Sequence, residues 1–517
     1  MIGASLPENS KNQPPSLSDW LPIDSIKDGG FLAGKVGEEK IIVCRVGQEL
    51  FAYSAFCSHL GAPLDEGLLA DGALRCPWHH ARFDVTTGAA ICAPAFDRLA
   101  AYRIEKRGKD FCVRERLTGH DPARKSRGKG SPIVIVGGGA AGFSAADALR
   151  REGWDGEAIL YSEEREQPYD RTLLTKDYLD GSFGDDRLGI AQHDLASLDV
   201  KFEGGVGANS LDARNKTIQL GDGRSQSYRK VLLATGAAPV ELKAPGADLP
   251  HILLLRSLED CRRIIAKLFD ARRVAVVGGS FIALEAAASL RSRGLEVEVI
   301  APELHPLEKI FGRELSDLVV HTHRAKGVTL TLGAKVAHID ARYLTLEDGR
   351  KVQADLVLVG VGVAPRLDLA RAAGLLIDRG VTVNARLQTS APDVYAAGDI
   401  ARWPDPLTGE SIRVEHWVVA ERQGQVAAAN MLGADRAFDI APFFWTKHFD
   451  LSIHYLGHAE RWDEVVVDGD VAERDATVHF RKRGRRLAIA TVGRDMATLR
   501  AELDWETRKG AGLVIAA

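Results

Sequence analysis

Across 517 residues the chain is short of several things, and each shortage removes a class of protein. Six cysteines, thinly spread, are too few for a disulfide scaffold. No uninterrupted apolar run approaches the ~18 residues of a membrane-spanning helix, so no membrane partner is expected. A net charge of -4 supplies no field of one sign that would gather nucleic acid. The opening MIGASLPENSKNQPPSLSDW has no basic segment followed by an apolar one, so no secretory signal is expected. What is present, 45% hydrophobic and 27% charged residues, excludes a disordered chain. The expectation is a soluble cytoplasmic protein of three or four domains.

Residues 1–17, rich in Pro, Ser and Asn, read as a flexible tail. Over 18–117, short strands alternate with Gly-containing turns (KIIVCRVG, ELFAYSAF, GALRCP, ARFDVTTG, AAYRIEKRG, DFCVRERL), the pattern of a small all-β domain. The polar, basic stretch over 118–131 reads as a solvated linker. Then PIVIVGGGAAGFSAADALRREG sets a buried strand, a Gly-rich turn and a helix, and RRVAVVGGSFIALEAAASLRSRGLEVEVIA repeats the arrangement. Two related α/β domains follow from one repeated unit. Beyond about residue 437 irregular strands and a closing helix suggest a separate α+β domain.

Cys57, His59, Cys76 and His79 form C-x-H, sixteen residues, then C-x-x-H. Zinc can take two Cys and two His, but common zinc spacings pair like with like. Here each loop offers one of each, as a Rieske [2Fe–2S] centre requires: two thiolates on one iron, two imidazoles on the other. Cys44, Cys92, Cys112 and Cys261 read as buried small apolar residues.

The stretch over 18–117 resembles the Rieske family, which implies that Cys57 and Cys76 hold the inner iron and His59 and His79 the outer one. The respiratory branch has a further cysteine in each loop, and Ser and Tyr hydroxyls after the second His. The matching positions here are Ala62, Trp78, Ala81 and Phe83. With fewer donors to the cluster, the resemblance implies a low-potential centre.

Gly137, Gly139 and Gly142 form G-x-G-x-x-G between a strand and a helix, a turn that lets pyrophosphate approach a helix N-terminus. Glu163 and Glu164 end the next strand, where a ribose-binding acid is expected from one of the pair. LLATGAAP (232–239), TSAPDVYAAGDIA (389–401) and PYDRTLLTK (168–176) resemble segments of the FAD-dependent ferredoxin reductases, the group that also holds apoptosis-inducing factor. That resemblance spans roughly 131–500. It implies a flavin-contacting Arg171, Lys176 beside the flavin, Asp399 at the ribityl chain, and Glu415, His416 and Trp417 along the isoalloxazine. The group's Pro-Pro is Thr172-Leu173 here, which leaves the shape of that loop open.

In the second unit, Gly278 is followed by Ser280 and Ala283 where Gly is usual; both are small enough for close packing. Glu285 matches a glutamate placed near nicotinamide, within reach of Lys176. Glu303 stands where monodehydroascorbate reductases, which look similar, carry a ribose-binding acid. An acid there favours NADH over NADPH, with His305, Lys309 and Arg313 keeping NADPH within reach. The flavin segments hold no C-x-x-x-x-C pair, which excludes a dithiol mechanism.

The domains expected are Rieske (18–117), FAD-binding (132–248 and 372–437), NAD(P)H-binding (249–371) and a C-terminal reductase interface domain (438–517), the two α/β parts Rossmann-like as in glutathione reductase. The whole layout resembles Rieske-containing relatives of apoptosis-inducing factor. It implies an enzyme passing electrons from NADH through FAD to its own cluster, with Lys176, Glu285 and Trp417 at the reacting centre. The electrons then reach an acceptor protein, such as an oxygenase or cytochrome, or a small oxidant. Two other readings stand beside it: a redox sensor that holds NADH, and a self-contained reductase of a small oxidant. Oligomeric state, a homodimer included, is not legible.

Overall fold

The computed structural model describes residues 14–118 and 130–507, which fall into two compact units divided near residue 122. In the first unit, six antiparallel strands run in the order Leu21–Pro22, Asp110–Arg116, Ala101–Arg107, Glu49–Ser54, Glu39–Val46 and Phe31–Val36. A second antiparallel sheet, Leu68–Ala70, Ala73–Arg75, Arg82–Asp84 and Ala90–Cys92, is inserted between two neighbours of the first. The alternation of Glu39–Val46 with its neighbours feeds two faces: Ile42, Cys44 and Tyr53 pack beneath Cys57 and Cys76, and Ile41, Val43 and Phe111 fill the opposite core.

The tail expected over 1–17 ends earlier than that. Residues 1–13 lie outside the described residues, but Leu17 is wholly buried, donating its N–H to Lys35 and accepting from Val113. Gly34 makes this fit: a Cβ there would lie 2.5 Å from Leu17 Cγ. The 118–131 linker also falls mostly outside the described residues.

The second unit is built on two parallel sheets. The first is ordered Lys201–Gly204, Ala158–Ser162, Ile133–Val136, Lys230–Leu233 and Val394–Ala396, so a late strand returns to an early sheet. The second is ordered Ile252–Leu254, Leu356–Val359, Arg273–Val277, Glu296–Ala301 and Thr329–Leu332. The inner strands, IVIV of Ile133–Val136 and LVLV of Leu356–Val359, are buried along their whole length and read as continuous apolar runs. Helix Ala140–Arg151 crosses Trp417–Met431 closely, since a Cβ on Gly424 would lie 2.2 Å from the Ala141 carbonyl oxygen. The turns LLATGAAP and LVGVGVAP meet as paired strands, Ala237–Pro239 against Val363–Pro365, tying the two α/β parts together.

An antiparallel sheet beginning at Phe443–His448 and ending at Arg485–Val492, closed by helix Asp495–Thr507, completes the unit. Phe438, expected at the start of this domain, belongs to the part before it. It packs edge-on to Trp403 at 5.6 Å between ring centroids and donates its N–H to Ala385.

Candidate functional sites

In the β unit the two Cys/His loops are built alike. Cys57 N–H donates to the Ala62 carbonyl at 2.8 Å, and Cys76 N–H donates to the Ala81 carbonyl at 2.9 Å. Each bond folds six residues into a hook that presents a thiol and, beyond it, an imidazole. The two Nδ1 atoms of His59 and His79 face one another at 3.2 Å. The Cys57 thiol meets that of Cys76, and this hydrogen bond, with burial, pushes its pKa well up. Among the described residues no three Cys, His, Asp or Glu side chains converge on one metal position. A single tetrahedral ion is therefore poorly served, whereas thiol facing thiol and imidazole facing imidazole fits a centre of two irons with two donors each. Ala62, Ala81 and Phe83 are fully buried around it and offer no side-chain donor.

The second site is a cavity of about 760 Å³ in the α/β unit. Its floor is the turn after Ile133–Val136. Gly137 has φ +117°, and a Cβ there would lie 2.1 Å from the Ala234 carbonyl oxygen; one on Gly142 would lie 1.9 Å from that of Gly137. Gly139, the N-cap of helix Ala140–Arg151, instead faces open space, with nothing nearer to a Cβ than Arg171 at 4.0 Å. This is the cradle a pyrophosphate needs: a closed turn and bare N–H groups at a helix N-terminus. FAD fits these residues.

Of the acidic pair, Glu164 is engaged by Arg171 and the Tyr169 hydroxyl, while Glu163 lies exposed at the cavity rim and pairs with Arg366. Glu163 thus keeps its carboxylate at the mouth of the cavity, while that of Glu164 is taken up by Arg171 and Tyr169. Arg171 also donates to the Arg256 carbonyl at 3.0 Å. The loop of Thr172 and Leu173 closes without prolines, because Asp170 Oδ1 accepts the Thr172 N–H at 2.8 Å. Asp399 sits in the short turn Gly398–Ile400, anchored where Gly398 N–H donates to Gln423, and pairs with Arg256 at 2.8 Å. Glu415, His416 and Trp417 line the same cavity, as does Trp445.

At the opposite end lie Lys176 and Glu285, 2.7 Å apart. Glu285 Oε2 also accepts from Thr175, and Oε1 from Thr446 and the Lys447 N–H. Thr446, Gln423 and Arg256 carry no sequence signal that marks them, since each works only through a partner far along the chain.

Gly278, Ser280 and Glu303 do not line this cavity. They form the neighbouring turn after Arg273–Val277. Gly278 has φ +124° and its Cβ would lie 2.3 Å from the Gly360 carbonyl oxygen. Ser280 substitutes for a glycine by using its hydroxyl internally: it donates to Gly360 O at 2.6 Å and caps helix Phe281–Ser292. The Glu303 carboxylate stands over this turn, 3.2 Å from the Cβ position of Gly279.

Three family profiles cover the chain in order: Rieske [2Fe-2S] domain over residues 19–103, pyridine nucleotide-disulphide oxidoreductase over 131–424, and reductase C-terminal over 443–508. Apoptosis-inducing factor 3 of Mus musculus is 28% identical across 92% of this chain and 81% of its own. The anthranilate 1,2-dioxygenase system ferredoxin–NAD(+) reductase component of Burkholderia cepacia is 35% identical across 71% of this chain and 93% of its own. Putidaredoxin reductase, solved as a covalent complex with putidaredoxin, superposes with a TM-score of 0.70 at 30% identity, covering 73% of this chain and 93% of that one.

Proposed function

We propose, for a chain that belongs to the pyridine nucleotide-disulphide oxidoreductase family and carries a Rieske [2Fe-2S] domain ahead of it, that electrons pass from NADH through FAD to its own cluster and then to an external acceptor. The observation that carries this reading is that none of the six cysteines lines the dinucleotide cavity. A dithiol cannot take the electrons there, so they need another exit, and Cys57, His59, Cys76 and His79 supply one on the same chain. Bound FAD would accept two electrons as a hydride and release them singly, as a [2Fe–2S] cluster requires. Tethering replaces a diffusional encounter by one at high effective concentration.

In this reading Gly137, Gly139 and Gly142 cradle the pyrophosphate, Glu163 holds ribose and Asp399 the ribityl chain. Lys176 and Glu285 orient nicotinamide against the flavin, and Trp417 covers the ring. Glu303 takes the NADH ribose. The acceptor is an oxidised protein or small oxidant. Among the described residues no helix is long and apolar enough to cross a membrane.

The test is an anaerobic NADH titration of the cluster-loaded protein, frozen and read by EPR. A Rieske signal rising in step with NADH supports the internal route. A bleached flavin beside a silent, still-oxidised cluster overturns it and favours the sensor reading. Cys57→Ser should abolish the signal while leaving NADH-driven bleaching.

A further inference from the structure

We propose that Thr446, His448 and His323 form a hydrogen-bonded proton wire that ends on Glu285 and delivers a proton to it when hydride enters the cavity; this rests on the NADH-oxidising reading above. Thr446 Oγ1 lies 2.7 Å from Glu285 Oε1 and 3.2 Å from His448 Nε2. His448 Nδ1 in turn lies 3.3 Å from His323 Nε2. Thr446 and both histidines are at most 1% exposed, so no water shell substitutes for these bonds.

The chemistry of the groups gives the chain a direction. Glu285, a carboxylate beside the Lys176 ammonium, can only accept, so the Thr446 hydroxyl donates to it. Thr446 then accepts from a protonated His448 Nε2. A neutral His448 is left with a bare Nδ1, which accepts from His323 Nε2–H. Both tautomers are thereby set, and every proton points towards Glu285. His323 Nδ1 remains at the far end as a buried acceptor with no partner. Burial holds both rings neutral, His448 further so because of the Lys176 charge and His323 because of His448. The wire can therefore pass a proton without storing one.

Its outer end lies behind one aromatic ring. Phe449 packs edge-on against His323, 5.3 Å between centroids, and also lines a separate cleft of about 520 Å³ with Lys326, Lys447 and Asp450.

The balance is simple. A hydride passed from dihydronicotinamide to bound flavin would break a C–H bond on the first and form a bond to that hydrogen on the second, adding one net negative charge to the flavin in the cavity. A proton taken from solvent at His323, with each link handing on its own, neutralises Glu285 and leaves the Lys176 cation to face that charge. When two electrons pass on to one-electron acceptors, this proton returns with the one from the hydride. The net reaction stays NADH → NAD⁺ + H⁺ + 2 e⁻.

The test uses the full-length, FAD-loaded protein mixed anaerobically with NADH in weak buffer, following flavin absorbance and a pH indicator together. Proton uptake should keep pace with bleaching in the wild type. His448→Gln retains a donor to Thr446, but an amide does not gain and lose a proton near neutral pH; uptake should lag bleaching by about tenfold or more. Thr446→Val cuts the wire one link nearer Glu285 and should do the same, covering a failure of the first variant to fold. Uptake that still tracks bleaching in both variants, or a wild type that bleaches without uptake, would overturn the wire. A wild type that NADH does not bleach would overturn the NADH reading and the wire with it.

Discussion

Lys176 Nζ and Glu285 Oε2 stand 2.7 Å apart with only 11% and 7% of their side chains exposed, although 109 positions separate them. Lys176 follows the short turn Arg171–Leu173, Glu285 lies on helix Phe281–Ser292, and Thr446, from the C-terminal sheet, donates to the same carboxylate. One buried carboxylate thus joins three parts of the unit. A charge held this far from water is tolerable only when paired and fully hydrogen-bonded.

Removing the carboxylate should therefore cost more than one contact. Glu285→Leu leaves Lys176 a buried cation without its counter-charge, a loss of about 3–5 kcal/mol. Glu285→Gln also removes the counter-charge but keeps the shape and one acceptor oxygen for these donors, so its loss should be the smaller of the two. Thermal unfolding of the FAD-loaded protein should rank wild type above Gln above Leu. Equal midpoints would mean that the pair is not under tension from burial.

The glycine cradle makes a prediction that activity need not report. A Cβ at position 142 would lie 1.9 Å from the Gly137 carbonyl oxygen, and that atom is backbone. Gly142→Ala should open the turn and lower flavin content per chain severalfold after purification, read from the visible absorbance against protein. Gly139→Ala, where the space is open to the ligand rather than filled by protein, should weaken FAD binding with less loss of fold.

These two turns show where legibility ended. Gly137, Gly139, Gly142 and the segment LLATGAAP are readable because a tight turn and a close approach leave residue-type marks. The six strands quoted from the β unit all form, whereas Phe31–Val36 does not stand out: FLAGKV has no clean alternation, and its Gly34 serves Leu17, a residue that reads as tail. Glu163 and Glu164 look alike in sequence. Only the fold separates them, by bringing Tyr169 and Arg171 to one and Arg366 to the other. Ser280 reads as a flawed glycine position and proves to be a helix cap. Nothing in the sequence marks His448, because His323, its partner beyond Thr446, lies on the distant helix Glu308–Ala325.

Glu303 should govern which nicotinamide cofactor is used. Its carboxylate overhangs the Gly279 turn, where it can accept from a ribose hydroxyl and repel a 2′-phosphate. Glu303→Gln should lower the NADH-over-NADPH ratio of kcat/KM by about tenfold, close to the 1.4 kcal/mol of one charge-assisted bond. The change should fall mainly on KM. An unaltered ratio would move the specificity to another residue.

Acid should weaken the α/β unit through its buried histidines. His448 and His323 are 0% exposed, and burial lowers each from 6.5 to about 3. In the unfolded chain they take up protons first, so below about pH 6.5 the unfolded state gains the advantage. The stability they permit is fully present above pH ~6.5 and falls as pH drops towards 3, by up to about 1.4 kcal/mol per pH unit for each histidine. Carboxylates that lose their partners add to the acid slope, so the comparison must be made against a variant. His448→Gln removes one of the two titrations and keeps a polar group facing Thr446. Denaturant unfolding at steps between pH 6 and 4 should show the variant losing stability more slowly than wild type, by about 1 kcal/mol per pH unit. Parallel curves would mean that His448 is not held neutral in the folded state.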